Sequence, residues 1–128
     1  MPHIQILNAP SAADIARHLE PFTVSNPPEV LKLLDVYASA STQRVLVEVV
    51  VVEGHLRQNF FLLLREEEGV FLMRCHPVLP VQKTDGVKRV IIEVARRILQ
   101  AAPQARLGNT NLSALLPPDF PGTSPART

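Results

Sequence analysis

The chain has 128 residues, 46% of them hydrophobic, and a formal net charge of +1 at pH 7. This length suits one globular domain that buries about two thirds of the surface exposed by its unfolded chain. A nearly neutral chain is not expected to bind nucleic acid through bulk charge, because that affinity depends on many phosphate contacts.

A single cysteine excludes an intrachain disulfide and predicts a reducing, cytoplasmic location. Residues 1–8 lack the basic start and long apolar run of a secretory signal. No apolar stretch approaches the roughly 20 residues needed to span a bilayer. We therefore expect a soluble protein that makes no membrane contact.

The first elements in the chain are a weak strand and a helix. Residues 3–7 alternate weakly between polar and apolar side chains, which predicts an edge strand. Ser11 and Asp14 form a capping pair ahead of an apolar helical face. Pro21 ends this first helix near Glu20, because proline cannot continue a helix.

Residues 27–38 allow two interpretations. Asn26-Pro27-Pro28-Glu29 predicts a second helix start, with Val30, Leu31 and Leu34 on its buried side. From residue 36 the pattern alternates, which predicts a change to a strand that pairs with residues 45–52. A continuous helix to residue 38 is the alternative.

Three consecutive antiparallel strands are predicted between Gln43 and His76. Residues 45–52 are apolar except for one acid and are rich in β-branched side chains, which favour a strand. Glu53-Gly54 predicts a two-residue loop, and residues 66–69 predict a four-residue loop. Two such hairpins in succession form a meander.

This register places Val47 opposite Phe60, and Phe60 opposite Cys75. The face that contains them is nearly all apolar, so we predict that it is the core face. Its residues are Val45, Val47, Val49, Val51, Leu56, Phe60, Leu62, Leu64, Phe71, Met73 and Cys75, interrupted by Gln58.

The opposite face of the meander is mixed. Its polar row is predicted to contain Glu48, Asn59 and His76, flanked by Arg57 and Arg74. A three-residue first loop with a bulge at Gly54 would break this row, so the register stays open. The apolar end of this face contains Leu46, Val50, Val52, Phe61, Leu63 and Leu72.

The C-terminal part is predicted to be one long helix followed by irregular structure. Residues 85–102 repeat apolar side chains at helical spacing, and Pro103 ends the pattern. Gly108-Asn109 predicts a turn, and residues 112–116 predict a short helical segment. Residues 117–128 are rich in proline and predict a disordered tail.

Together these elements predict a single α+β domain over residues 1–116. It would consist of an antiparallel meander of three to five strands, a long C-terminal helix on one face, and one or two N-terminal helices. Many unrelated small domains share this layout, so the fold alone does not indicate a function.

No motif indicates metal, cofactor or nucleophilic chemistry. The four histidines lack zinc spacing, and one cysteine excludes the usual structural zinc clusters. Cys75 and His76 are adjacent in a strand, so their side chains point to opposite faces and cannot act as a thiol–imidazole pair. Cys75 is expected to be a small core hydrophobe.

Two functional hypotheses follow. The first is a non-enzymatic interaction module that forms a homodimer, because the apolar end of the second sheet face needs cover. The second is a binding or catalytic site for a small anionic ligand, formed by Glu48, Arg57, Asn59, Arg74 and His76. Binding is favoured over turnover because no nucleophile accompanies this histidine.

Overall fold

A computed structural model describes residues 1–121 and shows a mostly antiparallel sheet with two short helices. In chain order the elements are β1 (His3–Leu7), α1 (Ala12–His18), β2 (Phe22–Asn26), β3 (Glu29–Ala38), β4 (Arg44–Glu53), β5 (Leu56–Glu67), β6 (Val70–Cys75), α2 (Asp85–Ala101), β7 (Arg106–Thr110) and a 3₁₀ turn (Ser113–Leu115). The strands form one sheet in the order β2-β3-β4-β5-β6-β1-β7. This sheet curls into a half-barrel.

The predicted fold class is wrong. The sheet has seven strands rather than three to five, and the structure is only 22% helical. Within residues 1–121 no long helix closes the chain: α2 lies where the helix was predicted, but it is followed by the further strand β7. Within residues 1–121, neither helix has the length and apolar content needed to cross a membrane.

The hairpin loops around β5 each contain two residues. Gly54-His55 joins β4 to β5, and Gly54 has the positive φ of 61° that suits the first position of a primed turn. Glu68-Gly69 joins β5 to β6 with φ values of 54° and 83°, as a type I′ turn requires. Such turns match the twist of the strands they connect, which is why they dominate short hairpins.

These turns set a register two residues away from the predicted one. Val47 pairs with Leu62 rather than with Phe60, and Leu62 pairs with Cys75. Because side chains alternate with a period of two, a shift of two residues keeps every side chain on its face. The predicted faces are therefore kept, whereas the predicted cross-strand rows are wrong.

Residues 27–38 are not a helix. Pro27-Pro28 forms a two-residue hairpin loop with a cis peptide bond, and Glu29 begins β3. Leu31 and Leu33 are buried, whereas Leu34 is 41% exposed at a bulge in the pairing with β4. The bulge interrupts the alternation of the strand, which left an apolar spacing that resembled a helix.

Both ends of the described chain add strands to one side of the sheet. β1 is not an edge strand, because it pairs with β6 and also with β7. Gly108 lies within β7 rather than in the predicted turn. A Cβ atom at Gly108 would lie 3.0 Å from side-chain atoms of Gln5 and Leu7, so glycine permits this close approach of strands.

The core lies between the inner face of the sheet and the two helices. The predicted core residues Val47, Phe60, Leu62, Val94 and Ile98 are each at most 3% exposed, which confirms their assignment. α2 is buried around much of its circumference and contacts β1, β3 and β4. This wide burial fits a helix enclosed by a curled sheet.

Two polar side chains of the sheet hold the segment that leads into α2. The carboxylate of Glu53 accepts hydrogen bonds from Thr84 Oγ1 at 2.5 Å and from the Gly86 backbone N–H at 2.9 Å. The Gln58 side chain accepts from the Gln82 N–H at 2.9 Å and donates to the Gln82 carbonyl at 3.1 Å. Gln58 therefore interrupts the apolar core face for a structural reason.

The predicted disordered tail lies partly outside the described residues, which end at residue 121. Within residues 117–121, Phe120 is 2% exposed and belongs to the hydrophobic core. The prediction for residues 122–128 concerns the part of the chain that the structure does not describe.

Candidate functional site

The candidate site lies on the face of the sheet that points away from the core, called here the outer face. Its central part is supplied by strands β3 to β6 and by the loop after β6. The residues concerned are Asp35, Tyr37, Leu46, Glu48, Phe61, Leu63 and Arg74 on the strands, and His76, Val78 and Leu79 after β6.

One cross-strand row organises the outer face. Asp35 pairs with Glu48, and Glu48 pairs with Phe61. The backbone N–H of His76 donates to the Phe61 carbonyl at 2.8 Å and extends the row past the end of β6. Phe61 therefore occupies the place predicted for Asn59, which instead pairs with Val50.

The five residues predicted as an anion site are divided between two regions. Arg74 pairs with Leu63, so strand β5 separates it from Leu46 and Glu48 on β4; it lies on the same face as His76, two residues away in the chain. Arg57 instead pairs with Val52. Val52 is four residues along β4 from Glu48, so the Cα atoms of these two residues are roughly 13 Å apart. Asn59 lies between these regions.

The loop after β6 folds back against the outer face. The Val78 N–H donates to Nδ1 of His76 at 3.2 Å, which holds the loop against this side chain. Val78 and Leu79 are 73% and 45% exposed. Together with Leu46, Phe61 and His76 they form an apolar depression of about 210 Å³.

The β3 side of the outer face carries two carboxylates, Asp35 and Glu48, with Lys32 at the neighbouring pair along β3. The charge of Asp35 is the main reason why the pKa of Tyr37 is raised above its usual value, and Glu48 adds to the effect. A tyrosine phenol is protonated at neutral pH in any case, and the nearby carboxylates favour this form as a hydrogen-bond donor. The Tyr37 and Phe61 rings lie 6.5 Å apart at an angle of 51°.

The other side of the outer face is basic. Arg74 lies near the β6 edge of the apolar strip, and its Nη1 is 3.5 Å from the sulfur of Met1. Arg44 pairs across the strands with Arg65, which forms an ion pair with Glu67. The strip of Leu46, Phe61 and Leu63 is thus bordered by Asp35 and Glu48 on its β3 side and by Arg74 on its β6 side, with Arg44 and Arg65 beyond the Leu46–Leu63 pair.

Cys75 takes no part in this face. It is 3% exposed on the core side, as predicted, and burial raises the pKa of its thiol. The next residue, His76, has its side chain on the outer face instead. Within residues 1–121, no group of three or more His, Cys, Asp or Glu side chains is arranged to hold a metal ion.

Sequence reasoning missed four members of the site. Asp35 and Tyr37 alternate with Val36 and Ala38. Pairing this predicted strand with residues 45–52 would have placed both polar side chains on the outer face. Val78 and Leu79 lie between two prolines, and two adjacent apolar residues in such a loop indicate contact with a surface.

In comparisons with known proteins, no family model matches the chain, and neither a similar curated protein nor a similar solved structure was found. The geometry of the outer face is therefore the evidence on which a functional proposal depends.

Proposed function

We propose that the protein is a non-enzymatic interaction module that self-associates through the outer face. The observation that supports this proposal is the apolar strip between two flanks of opposite charge. Tyr37, Val78 and Leu79 are exposed hydrophobic side chains next to this strip. Contact between water and such a continuous apolar patch is unfavourable, and a second copy packed against the patch would exclude the water.

Charge complementarity favours a second copy as the partner. A two-fold axis along β5 would bring Phe61 near its own symmetry mate. The acidic residues Asp35 and Glu48 would then lie over the His76 and Arg74 side of the other copy. The same pairs would form twice, which is the property of an isologous interface.

Charge exchange tests this interface. Glu48→Arg and Arg74→Glu should each weaken self-association by about tenfold or more, because each places like charges opposite one another. The double variant should restore much of the lost affinity, since the pair is re-formed in reverse. Sedimentation equilibrium from about 1 to about 100 µM measures the dissociation constants.

Matched controls distinguish the interface from a general effect of charge. Glu20→Arg makes the same change at an exposed position after α1 and should leave association unchanged. Val78→Asp should weaken association without unfolding the protein, because Val78 is 73% exposed. A wild-type protein that stays monomeric to about 100 µM would contradict the proposal.

The anionic-ligand site remains a second proposal for the same face. This proposal is supported by the proximity of Arg74 to His76. It is weakened by the position of Arg57, which is too far along the sheet to join them in a single site of five residues. Thermal-shift measurements with small anions on the wild type and on Arg74→Ala separate the proposals. Stabilisation that persists without Arg74 would dismiss the ligand site.

We also propose a cytoplasmic location, on the evidence of the single buried cysteine.

A further inference from the structure

A separate cavity of about 160 Å³ lies between α1 and the C-terminal end of α2. Its floor is apolar and consists of Ile15, Leu19, Ile98 and Ala102, each at most 6% exposed. The rim is polar, with the side chains of Asp14, His18, Arg97 and Gln104. A small amphipathic molecule would match this combination of floor and rim.

Arg97 is held in place from two directions. Its guanidinium carbon lies 4.2 Å from the centre of the Phe22 ring, and its Nε–H donates to Glu93 at 2.7 Å. Among the hydrogen bonds of residues 1–121, Arg97 uses only this Nε–H. Its two Nη groups keep their N–H donors for a ligand, and planar donor pairs of this kind match a carboxylate.

The charges near the cavity are largely paired, and the donors that an anion would meet are the Nη groups of Arg97. Glu93 accepts hydrogen bonds from both Arg96 and Arg97, so one carboxylate offsets two guanidinium groups. The Asp14 carboxylate at the rim is paired with Arg17 at 2.8 Å. His18 Nδ1 bonds to the Asp14 carbonyl at 2.9 Å, which leaves Nε2 as a further polar contact. Arg96 also interacts with the Asp119 carboxylate, so the attraction for an anion comes from the Nη donors of Arg97 rather than from an excess of positive charge.

We propose that this cavity binds a small carboxylic acid, with its carboxylate on the Nη groups of Arg97 and its apolar part on the floor. The volume limits the apolar part, because a dry cavity of about 150 Å³ holds a single benzene ring. A phenyl group or a short branched chain is therefore the largest body that fits. This site is separate from the outer face, so it does not depend on self-association.

Titration of the full chain with phenylacetate, followed by ¹H–¹⁵N NMR, tests the proposal. Saturable shifts are expected at backbone amides of α1 and of the last turns of α2, with a dissociation constant of about 1 mM or below. Phenylacetamide has the same shape without the charge and should bind about tenfold more weakly, because it forms no charge-assisted pair with Arg97.

Two variants and one control make the test specific. Arg97→Gln removes the carboxylate partner, and Ala101→Phe blocks the cavity from an exposed position while it keeps Arg97. Both should lose binding, and their ligand-free spectra show whether the fold is kept. Arg57→Gln makes the same charge change on the outer face and should bind like the wild type. The proposal is overturned by absence of saturable shifts, by equal binding of the amide, or by unchanged binding in both variants.

Discussion

Phe60 and Phe61 are neighbours in β5 whose side chains have different surroundings, because successive strand residues point to opposite sides of a sheet. Phe60 is 1% exposed and packs in the core. Phe61 lies on the outer face, between Glu48 and His76. One position along the strand thus separates a residue that stabilises the fold from one that is available to a partner.

The two phenylalanines should respond differently to truncation. We expect Phe60→Ala to lower the free energy of unfolding by about 3–5 kcal/mol, through lost burial and the cavity left behind. Phe61→Ala should lower it by only about 1–2 kcal/mol, because its ring is partly exposed. Urea unfolding at low protein concentration measures both without a contribution from self-association. Equal losses, or a Phe60→Ala variant that melts like the wild type, would contradict this assignment.

At the scale of the element, the exposed side of α2 is held by ion pairs that only partly follow helical spacing. Glu93 bonds to Arg97 at i, i+4 and to Arg96 at i, i+3. Arg89, which has the same spacing to Glu93, instead bonds both carboxylate oxygens of Glu29 on β3 at 3.0 Å. Arg89 therefore pairs with a residue of the sheet rather than with Glu93 of its own helix, and this pair ties α2 to β3.

The Glu93 pairs predict a pH dependence of stability. Burial alone would raise the pKa of Glu93, but the hydrogen bonds and charges of Arg96 and Arg97 outweigh it and lower the pKa below the ordinary value of 4.5. A lowered folded-state pKa stabilises the fold above the unfolded-state value, and this contribution is lost as the pH falls through the folded-state value.

Glu93→Gln should therefore lower the free energy of unfolding by about 1–2 kcal/mol at pH 7, a figure reduced for the partial exposure of both arginines. The difference from the wild type should shrink as the pH falls below 4.5. Glu67→Gln, which breaks an exposed pair with Arg65, serves as a control with a change near zero. A Glu93→Gln difference that is as large in acid as at neutral pH would refute the ion-pair explanation.

At the scale of the molecule, the two ends of the described chain meet. Thr110 Oγ1 donates to the His3 carbonyl at 2.7 Å, and the Asn111 side chain bonds the His3 N–H at 3.0 Å. Phe120 then packs into the same hydrophobic core as β1 and α2. The residues after α2 are thus a structural part of the sheet and core, up to the end of the described chain.

Phe120→Ala should therefore destabilise the whole protein, by about 3 kcal/mol, because it empties a buried aromatic site. Pro118→Ala changes an exposed residue of the same segment and should alter stability by less than about 0.5 kcal/mol. Thermal and urea unfolding of both variants provide the comparison. If the two variants unfold alike, Phe120 does not contribute to the core as the structure indicates.

The amino-acid sequence by itself determined which side chains of β4, β5 and β6 face the core. Alternation between neighbouring residues is a local property, and it survives a register error of two because the side-chain period is two. Val47, Phe60 and Leu62 were placed correctly for this reason. The burial of Cys75 followed from the same alternation.

The members of each cross-strand row were decided only by the tertiary structure. The turn at Glu68-Gly69 has two residues with positive φ, whereas the glutamate run had suggested a four-residue loop. This turn and the one at Gly54 together moved Phe61 into the row of Glu48 and His76. The polar row predicted as a ligand site thus became an apolar strip with charged flanks.

The remaining strands depended on partners that are remote in the chain. Gly108 predicts a turn locally, yet it lies in β7, whose pairing with β1 brings together residues such as His3 and Thr110 that are 107 positions apart. Residues 29–38 form a strand because β2 and β4 supply neighbours on both sides. Local propensity is worth a fraction of a kcal/mol per residue, and the burial and hydrogen bonds gained in a completed sheet outweigh it.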